Sequence, residues 1–212
     1  MRGRVGLWEA GLPELRTAWT VVIPIKHTDH GKSRLSVPGV GRTALARAIA
    51  LDTIAAAAGV ARVVVVTSDQ AIAELVRGLE VRVVPDPGGG IDAAVAAGMP
   101  DAGPRAALLG DLPALRTADL RTALREAESV PRAVVADAEG TGSTLVTAAA
   151  GVPWASAFGA GSLARHVSLG CVPLAVPDAP TLRRDVDTVE QLEAAAVLGL
   201  GPRTSAVVGA RR

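Results

Sequence analysis

The chain has 212 residues, of which 49% are hydrophobic and 20% charged, and its formal net charge is +1. This composition can fill the core of one large domain and excludes a disordered chain. The balanced charge, the lack of a basic tract and the scarcity of aromatic residues (one Phe, three Trp, no Tyr) argue against nucleic acid as a partner.

Strand-like and helix-like segments alternate along the chain. In chain order the patterns predict strands over 20–25, 62–67, 81–84, 106–109, 132–136, 143–147 and 172–176. They predict helices over 42–58, 70–79, 91–97, 117–128, 162–169 and 189–198. Ser68 or Asp69 is expected to cap the helix over 70–79. The alternation predicts a doubly wound α/β fold, a mostly parallel sheet flanked by helices. The segment 137–176 departs from the alternation and is where we expect an antiparallel strand.

The predicted organisation is a single domain over 19–200. Residues 1–18 are expected to form a flexible N-terminal extension, and residues 201–212 a mobile C-terminal tail. No apolar stretch approaches the ~20 residues that cross a bilayer, and residues 1–19 lack a signal-peptide core. We therefore expect a soluble, cytoplasmic protein with no membrane partner. The neighbours of Cys171 favour a small buried residue over a catalytic thiol.

Acidic residues in two distant motifs are the strongest chemical signal. Asp111 follows the apolar run 106–109, and Asp185 and Asp187 stand at i, i+2, which in an extended segment points both carboxylates the same way. Three carboxylates at the carboxyl edge of a parallel sheet would hold a hard cation, most simply magnesium. The alternatives are that Asp111 only caps the next turn and that Asp185 pairs with Arg183 or Arg184.

Two loops near the ends of the first strands are candidates for nucleotide contact. Lys26, Lys32 and Arg34 lie in the loop after the first strand, which either holds phosphates or is a solvated basic loop. The Walker A spacing is absent from it. The loop 88–90 is all glycine and allows a ligand close to backbone amides, or is a plain connection. Asp92 beside it either caps the following helix or contacts a ligand.

The segment 140–166 carries candidate anion-binding groups. Residues 140–144 combine hydroxyl side chains with amides that could wrap an oxyanion, the alternative being an ordinary turn. Ser162 stands at a predicted helix start, a place that suits an anion, simple N-capping or both. His166 lies one turn further on and either faces this site or packs in the core.

These motifs resemble those of the 2-phospholactate and phosphoenolpyruvate guanylyltransferases, enzymes of deazaflavin coenzyme F(420) biosynthesis. The resemblance covers roughly residues 20–200 and rests on Ile23-Pro24-Ile25-Lys26, Lys32-Ser33-Arg34-Leu35, Gly110-Asp111-Leu112-Pro113 and Arg184-Asp185-Val186-Asp187-Thr188. It implies a Rossmann-like nucleotidyltransferase fold of the molybdopterin-guanylyltransferase type. It also implies transfer of GMP from GTP to phosphoenolpyruvate or 2-phospholactate, with release of pyrophosphate.

The resemblance further assigns roles to individual residues. By position, the family's magnesium ligands correspond to Asp111, Asp185 and Asp187, its phosphoenolpyruvate-binding positions to Ser143, Gly159 and Ser162, and its nucleotide loop to Lys26, Lys32 and Arg34. Ser143 replaces a common Thr and keeps the hydroxyl. Asp92 stands where the family often has Asn, which leaves its role open, because a carboxylate facing GTP would be repulsive.

Alternative functions are a molybdenum-cofactor or sugar-phosphate nucleotidyltransferase and a non-catalytic nucleotide-binding module. The short stretch from Ser143 to Ser162 favours a small phosphorylated carboxylic acid over a bulky pterin. Phosphoenolpyruvate is the preferred acceptor, ahead of 2-phospholactate and 3-phosphoglycerate. For the oligomeric state, a homodimer is one alternative.

Overall fold

A seven-stranded sheet organises the part of the chain that the computed structural model describes, residues 18–27 and 35–210. The strands are β1 (Thr20–Ile25), β2 (Arg62–Thr67), β3 (Val81–Val84), β4 (Arg105–Leu108), β5 (Arg132–Ala136), β6 (Ser143–Ala148) and β7 (Val172–Pro173). Their order across the sheet is β3-β2-β1-β4-β6-β5-β7.

Helices flank this sheet. They are α1 (Arg42–Ala58), α2 (Gln70–Leu75), α3 (Ile91–Gly98), α4 (Thr117–Ala127), α5 (Ser162–Ser168), α6 (Pro180–Arg183), α7 (Val189–Leu198) and α8 (Pro202–Gly209). The predicted α/β fold is confirmed: β1 to β4 pair in parallel, and β6 is the expected antiparallel strand between β4 and β5.

Strand β2 shows why the sheet lies in the middle of the molecule. Val63 and Val65 pack into the large apolar cluster on one face of the sheet, and Val64 and Val66 pack into a second cluster on the other face. Successive side chains of a strand point to opposite faces, so the four consecutive valines of β2 need cover on both sides. Helices on the two faces supply that cover.

The strand directions gather several chain segments at one edge of the sheet. Strands β1, β4 and β5 all end there, whereas the antiparallel β6 begins there with Ser143, which pairs with Ala136 at the end of β5. Ligands of open α/β sheets bind at this carboxyl edge. The topology therefore brings the residues after β1, β4 and β5 next to the first residue of β6.

Two predicted elements are shorter in the structure. Asp69 caps α2 as expected, with Oδ1 accepting from the amides of Ala71 and Ile72, but the helix ends at Leu75 rather than at 79. Gly78 has the low helix propensity that favours the single turns seen there. Strand β7 has two residues rather than five, because Pro173 supplies no N–H group and Pro177 follows closely.

The C-terminal segment differs from the expectation of a mobile tail. Residues 202–209 form α8, and the buried carboxylate of Asp52 on α1 accepts hydrogen bonds from the amides of Arg203 (3.2 Å) and Thr204 (2.8 Å). Thr204 is fully buried. The prediction of a tail was wrong for this helix, because its cap comes from a residue far away in the sequence. The predicted extension 1–18 lies, apart from Ala18, outside the described residues.

We expect Asp52→Ala to lower the free energy of unfolding by about 2 kcal/mol, the upper range for loss of a helix N-cap. The amides of Arg203 and Thr204 would lose their acceptor. Urea unfolding measures the loss, and Asp52→Asn, which keeps one acceptor oxygen, should give an intermediate value. Unchanged stability in Asp52→Ala would contradict the anchoring of α8 by this carboxylate.

Two smaller expectations concern the membrane and the cysteine. Within residues 18–27 and 35–210, every helix is too short or too polar to span a bilayer. Cys171 is buried, as its apolar neighbours predict, and burial raises the pKa of its thiol. A buried thiol with a raised pKa is a poor nucleophile at neutral pH.

Candidate active site

A cavity of about 770 Å³ lies at the carboxyl edge of the sheet. Its wall includes the predicted residues Lys26, Asp111, Ser143, Gly159, Ser162, Asp185 and Asp187. Seven of the nine predicted site residues are therefore brought together. The other two, Lys32 and Arg34, lie outside the described residues.

The two acidic motifs meet through the backbone. The carbonyl of Asp111 accepts a hydrogen bond from the amide of Val186 (3.0 Å), which brings Asp185 and Asp187 beside the end of β4. Gly110, just before Asp111, lies close to β1, because a Cβ at this position would clash with the side chain of Ile25. One backbone hydrogen bond thus joins two motifs that are more than 70 residues apart in the sequence.

The carboxyl group of Asp185 lies in surroundings that disfavour its ionised form. Burial first, and then the neighbouring carboxylate of Asp111, raise the pKa of Asp185 to about 7, and Asp137 and Glu139 add to the effect. Its Oδ1 is buried and, among the described residues, has no hydrogen-bond partner. A half-buried carboxylate in such surroundings is costly unless a cation compensates it. This environment fits a hard cation.

The compact acidic group differs from the predicted trio. In the described part of the chain, ligand atoms of Asp137, Glu139 and Asp185 all lie within 4.8 Å of one another. Asp111 and Asp187 line the same cavity without belonging to this group. Carboxylate oxygens are the ligands that divalent hard cations prefer, so this wall could hold such a cation.

Asp137 is a site residue that the sequence interpretation missed. Its carboxylate accepts hydrogen bonds from the amides of Thr141 (2.9 Å) and Gly142 (2.7 Å), which shapes the turn between β5 and β6. Those two amides are therefore engaged rather than open to an oxyanion, as the loop 140–144 had suggested. The available signal was its position, since Asp137 directly follows β5, and Asp111 likewise lies within three residues of the end of β4.

The arginines beside Asp185 have other partners. Arg183 donates to the carbonyls of Ala136 and Asp137, and Arg184 forms an ion pair with Glu139 at 2.6 Å. The alternative in which Asp185 pairs with either arginine is therefore wrong. Arg184 instead offsets the most exposed carboxylate of the acidic group.

The hydroxyl-bearing side of the cavity is formed by Ser143 and Ser162. Both are buried, and Ser162 Oγ donates to Ser143 Oγ at 3.3 Å. Gly159 adjoins them, because its carbonyl accepts from the amide of Ser162 (3.0 Å) in a tight turn. Ser162 is the first helical residue, with Gly161 at the N-cap position and no side-chain cap, so the expectation of N-capping by Ser162 was wrong.

His166 is fully buried and contacts Ser143, which lines this side of the cavity. Its Nδ1 lies 3.0 Å from Ser143 Oγ, and its Nε2 accepts from the amide of Ala157 at 2.9 Å. The ring packs edge-on against Phe158. Of the two alternatives for His166, the structure shows the packed one, and the ring also connects Ser143 to the loop 156–161.

That loop, residues 156–161, is held from two further directions. Asp92 on α3 accepts from Ser156 Oγ (2.6 Å) and from the amide of Phe158 (3.2 Å). The guanidinium of Arg165 donates to the carbonyls of Ala157, Phe158 and Ala160. Asp92 is therefore neither a cap of α3, which has Gly90 at its N-cap position and no side-chain cap, nor directed at a nucleotide by any described contact. Sequence reasoning missed both supports.

The glycine-rich loop contributes backbone to the same cavity. Gly90 lines the wall with φ 97° and ψ −175°, a conformation that essentially only glycine adopts. Asp86 Oδ1 accepts from the amide of Gly88 (2.9 Å) and fixes the start of the loop. The glycine conformation and this hydrogen bond favour a loop of defined structure at the cavity over a plain flexible connection.

A mostly parallel α/β sheet with acidic and hydroxyl groups around one cavity at its carboxyl edge defines a nucleotidyltransferase-like protein. A nucleotidyl transferase from Methanothermobacter shares this fold, with a TM-score of 0.58, 20% identity, and coverage of 85% of this chain and 97% of that chain. At that identity the likeness concerns the fold.

The family follows from closer relatives. Residues 19–204 match the family described as guanylyl transferase CofC like. Phosphoenolpyruvate guanylyltransferases from Thermomonospora curvata and Salinispora arenicola are each 46% identical, over 200 and 201 residues, covering 89% and 90% of this chain and 88% and 94% of the relatives. The chain belongs to the CofC-like guanylyl transferase family. The predicted family and the prediction of a nucleotidyltransferase enzyme are confirmed.

Proposed function

We propose that the protein transfers GMP from GTP to phosphoenolpyruvate with release of pyrophosphate, in coenzyme F(420) biosynthesis. The names of the relatives at 46% identity support the substrates. The observation that carries the proposal is one cavity with two chemically different sides. Carboxylates that suit a cation lie on one side, and the hydroxyls of Ser143 and Ser162 lie on the other.

The reaction is an in-line displacement at phosphorus. An oxygen of the phosphate group of the acceptor attacks the α-phosphorus of GTP, and a new P–O bond forms. The bond from the α-phosphorus to the bridging oxygen breaks, and pyrophosphate leaves with that electron pair. A phosphate nucleophile is already ionised at neutral pH, so the protein needs no general base. Its contribution is positioning and charge compensation.

The acidic side is the proposed magnesium site. Asp111, Asp185 and Asp187 would hold the ion, with Asp137 as a close neighbour. The buried Oδ1 of Asp185 and its raised pKa support this assignment. Bound magnesium would supply neutralisation of phosphate charge. Deprotonation of Asp185 would accompany its binding, because a hard cation takes a carboxylate ligand in its ionised form.

The two substrates would bind to different parts of the cavity wall. Lys26, with Lys32 and Arg34 from the same loop, would bind the triphosphate through charge-assisted hydrogen bonds. Ser143 and Ser162, with the backbone at Gly159, would bind the carboxylate or phosphate of the acceptor. The hydrogen bonds to Asp92 and from Arg165 keep the loop 156–161, which carries Gly159, in place.

A pyrophosphate-release assay tests the proposal directly. GTP, ATP and CTP are each combined with phosphoenolpyruvate, 2-phospholactate or 3-phosphoglycerate, with magnesium or with a chelator. We expect fast release only with GTP, phosphoenolpyruvate and magnesium. Preference for another nucleotide or another acid would overturn the substrate assignment, and GTP binding without release under any condition would indicate a non-catalytic module.

A further inference from the structure

The protonation of His166 follows from its two hydrogen bonds. A backbone amide can only donate, so Nε2 of His166 carries no proton where it accepts from Ala157. The neutral ring therefore has its proton on Nδ1, 3.0 Å from Ser143 Oγ, so Nδ1 donates to Ser143, and the backbone carbonyl of Ser162 is a second acceptor for the same N–H group.

The surroundings keep this ring neutral. Burial lowers the pKa of His166, and the guanidinium of Arg165 on α5 adds to that effect. The carboxylate of Asp92 on α3 and a hydrogen bond to the backbone of Ser162 oppose it. The net direction is below the ordinary value of 6.5. At neutral pH the Nδ1–H form is therefore the relevant one.

The hydrogen bonds of Ser143 then have a defined direction. Its oxygen accepts from Nδ1 of His166 and from Oγ of Ser162. A serine hydroxyl has two acceptor positions and one hydrogen, so two incoming donors leave only the hydrogen for a further contact. Ser143 lines the cavity, and that hydrogen is available to a group bound there.

We propose that His166 is a positioning residue that makes Ser143 a hydrogen-bond donor to an anionic oxygen of the acceptor. The inference rests on the proposed function and adds a reason why this serine would recognise a carboxylate or phosphate rather than a donor group. A donor-only hydroxyl favours an anion, which can accept but not donate.

Two substitutions at His166 separate this role from a purely structural one. His166→Asn places an amide N–H near the position of Nδ1 and can still donate to Ser143, but it does not reach Ala157. His166→Gln places an acceptor near the position of Nε2 and can hold Ala157, but it leaves Ser143 without its donor. If His166 only holds the loop, His166→Gln should be the milder change.

The kinetic readout is the KM of each substrate in wild type and variants. We expect His166→Gln to raise the KM for phosphoenolpyruvate about 10-fold, the size of one hydrogen bond to a charged group, with the KM for GTP unchanged. His166→Asn should stay within about 3-fold of wild type. Ser143→Ala should match His166→Gln, and the double variant should add nothing, because both remove the same contact. A milder effect in His166→Gln than in His166→Asn overturns the proposal.

A spectroscopic measurement keeps the inference testable without any substrate. ¹⁵N-resolved NMR of the histidine rings in the free wild-type protein reports which ring nitrogen carries the proton, with His166→Asn identifying the signal. We expect the proton on Nδ1 at neutral pH. A proton on Nε2, or on both nitrogens, overturns the inference even if phosphoenolpyruvate turns out to be the acceptor. Failure of the proposed function would appear separately, as wild-type protein that does not use phosphoenolpyruvate.

Discussion

Asp111→Asn is expected to lower kcat for GMP transfer about 1,000-fold or more, equivalent to roughly 4 kcal/mol of transition-state stabilisation. The amide keeps the shape of the side chain and removes the charge that would face the cation at the end of β4. Pyrophosphate release at saturating GTP, phosphoenolpyruvate and magnesium measures the loss. Asp101→Asn, at an exposed acid outside the cavity wall, is the matched control and should keep wild-type activity.

The same assay decides which acids complete the proposed cation site. Asp187→Asn and Asp137→Asn distinguish the predicted trio from the compact group seen in the structure. A large loss in Asp187→Asn with a smaller one in Asp137→Asn would support the trio. The reverse pattern would replace Asp187 by Asp137. Wild-type kcat in Asp111→Asn would remove Asp111 from the site altogether.

Asp185→Asn is expected to stabilise the metal-free protein at about pH 8 while abolishing turnover. The pKa of Asp185 is about 7 in the folded protein against an ordinary value of 3.8, so the folded state binds this proton more tightly than the unfolded chain. Stability from this group is therefore present at low pH and is lost as pH rises from about 4 to about 7. The amide resembles the protonated carboxyl and avoids that loss.

Thermal unfolding in a chelator at several pH values measures this effect. The advantage of the Asp185→Asn variant should grow between about pH 4 and pH 7 and stay constant above, with about 2–4 °C in Tm for each kcal/mol in a chain of this size. Added magnesium should raise the Tm of wild type and not that of the variant. If the variant were less stable than wild type at about pH 8, that result would contradict the claim that the surroundings of Asp185 disfavour its ionised form.

Some parts of the site could be predicted because the sequence pattern and the physics coincide. The segment before Asp111 is an apolar run, which predicts a buried parallel strand. Residues that follow such a strand lie at the carboxyl edge of the sheet, where ligands bind, so Asp111 was expected there. The i, i+2 spacing of Asp185 and Asp187 predicted a shared direction, and both line the cavity. Strand β2 could also be predicted, since a run of valines is stable as a strand only where other elements cover both faces of the sheet.

Other parts of the structure depend on hydrogen bonds between residues far apart in the sequence, which no local sequence pattern predicts. Asp92 has the sequence position of a helix cap, yet its acceptor oxygen serves Ser156 and Phe158 more than sixty residues away. Helix α8 begins at Pro202 near the end of the chain, and the sequence pattern predicted a tail there, because the carboxylate that caps the helix belongs to the distant Asp52. Long-range hydrogen bonds of this kind become visible only once the fold brings the segments together.

The most direct measurement follows the labelled α-phosphate of GTP. The protein is incubated with α-³²P-labelled GTP, phosphoenolpyruvate and magnesium, and the products are separated and their masses determined. We expect the label in a product that joins GMP to phosphoenolpyruvate, in an amount equal to the pyrophosphate released. Label that stays in GTP, or that appears as free GMP whether or not phosphoenolpyruvate is present, would contradict guanylyl transfer to this acid.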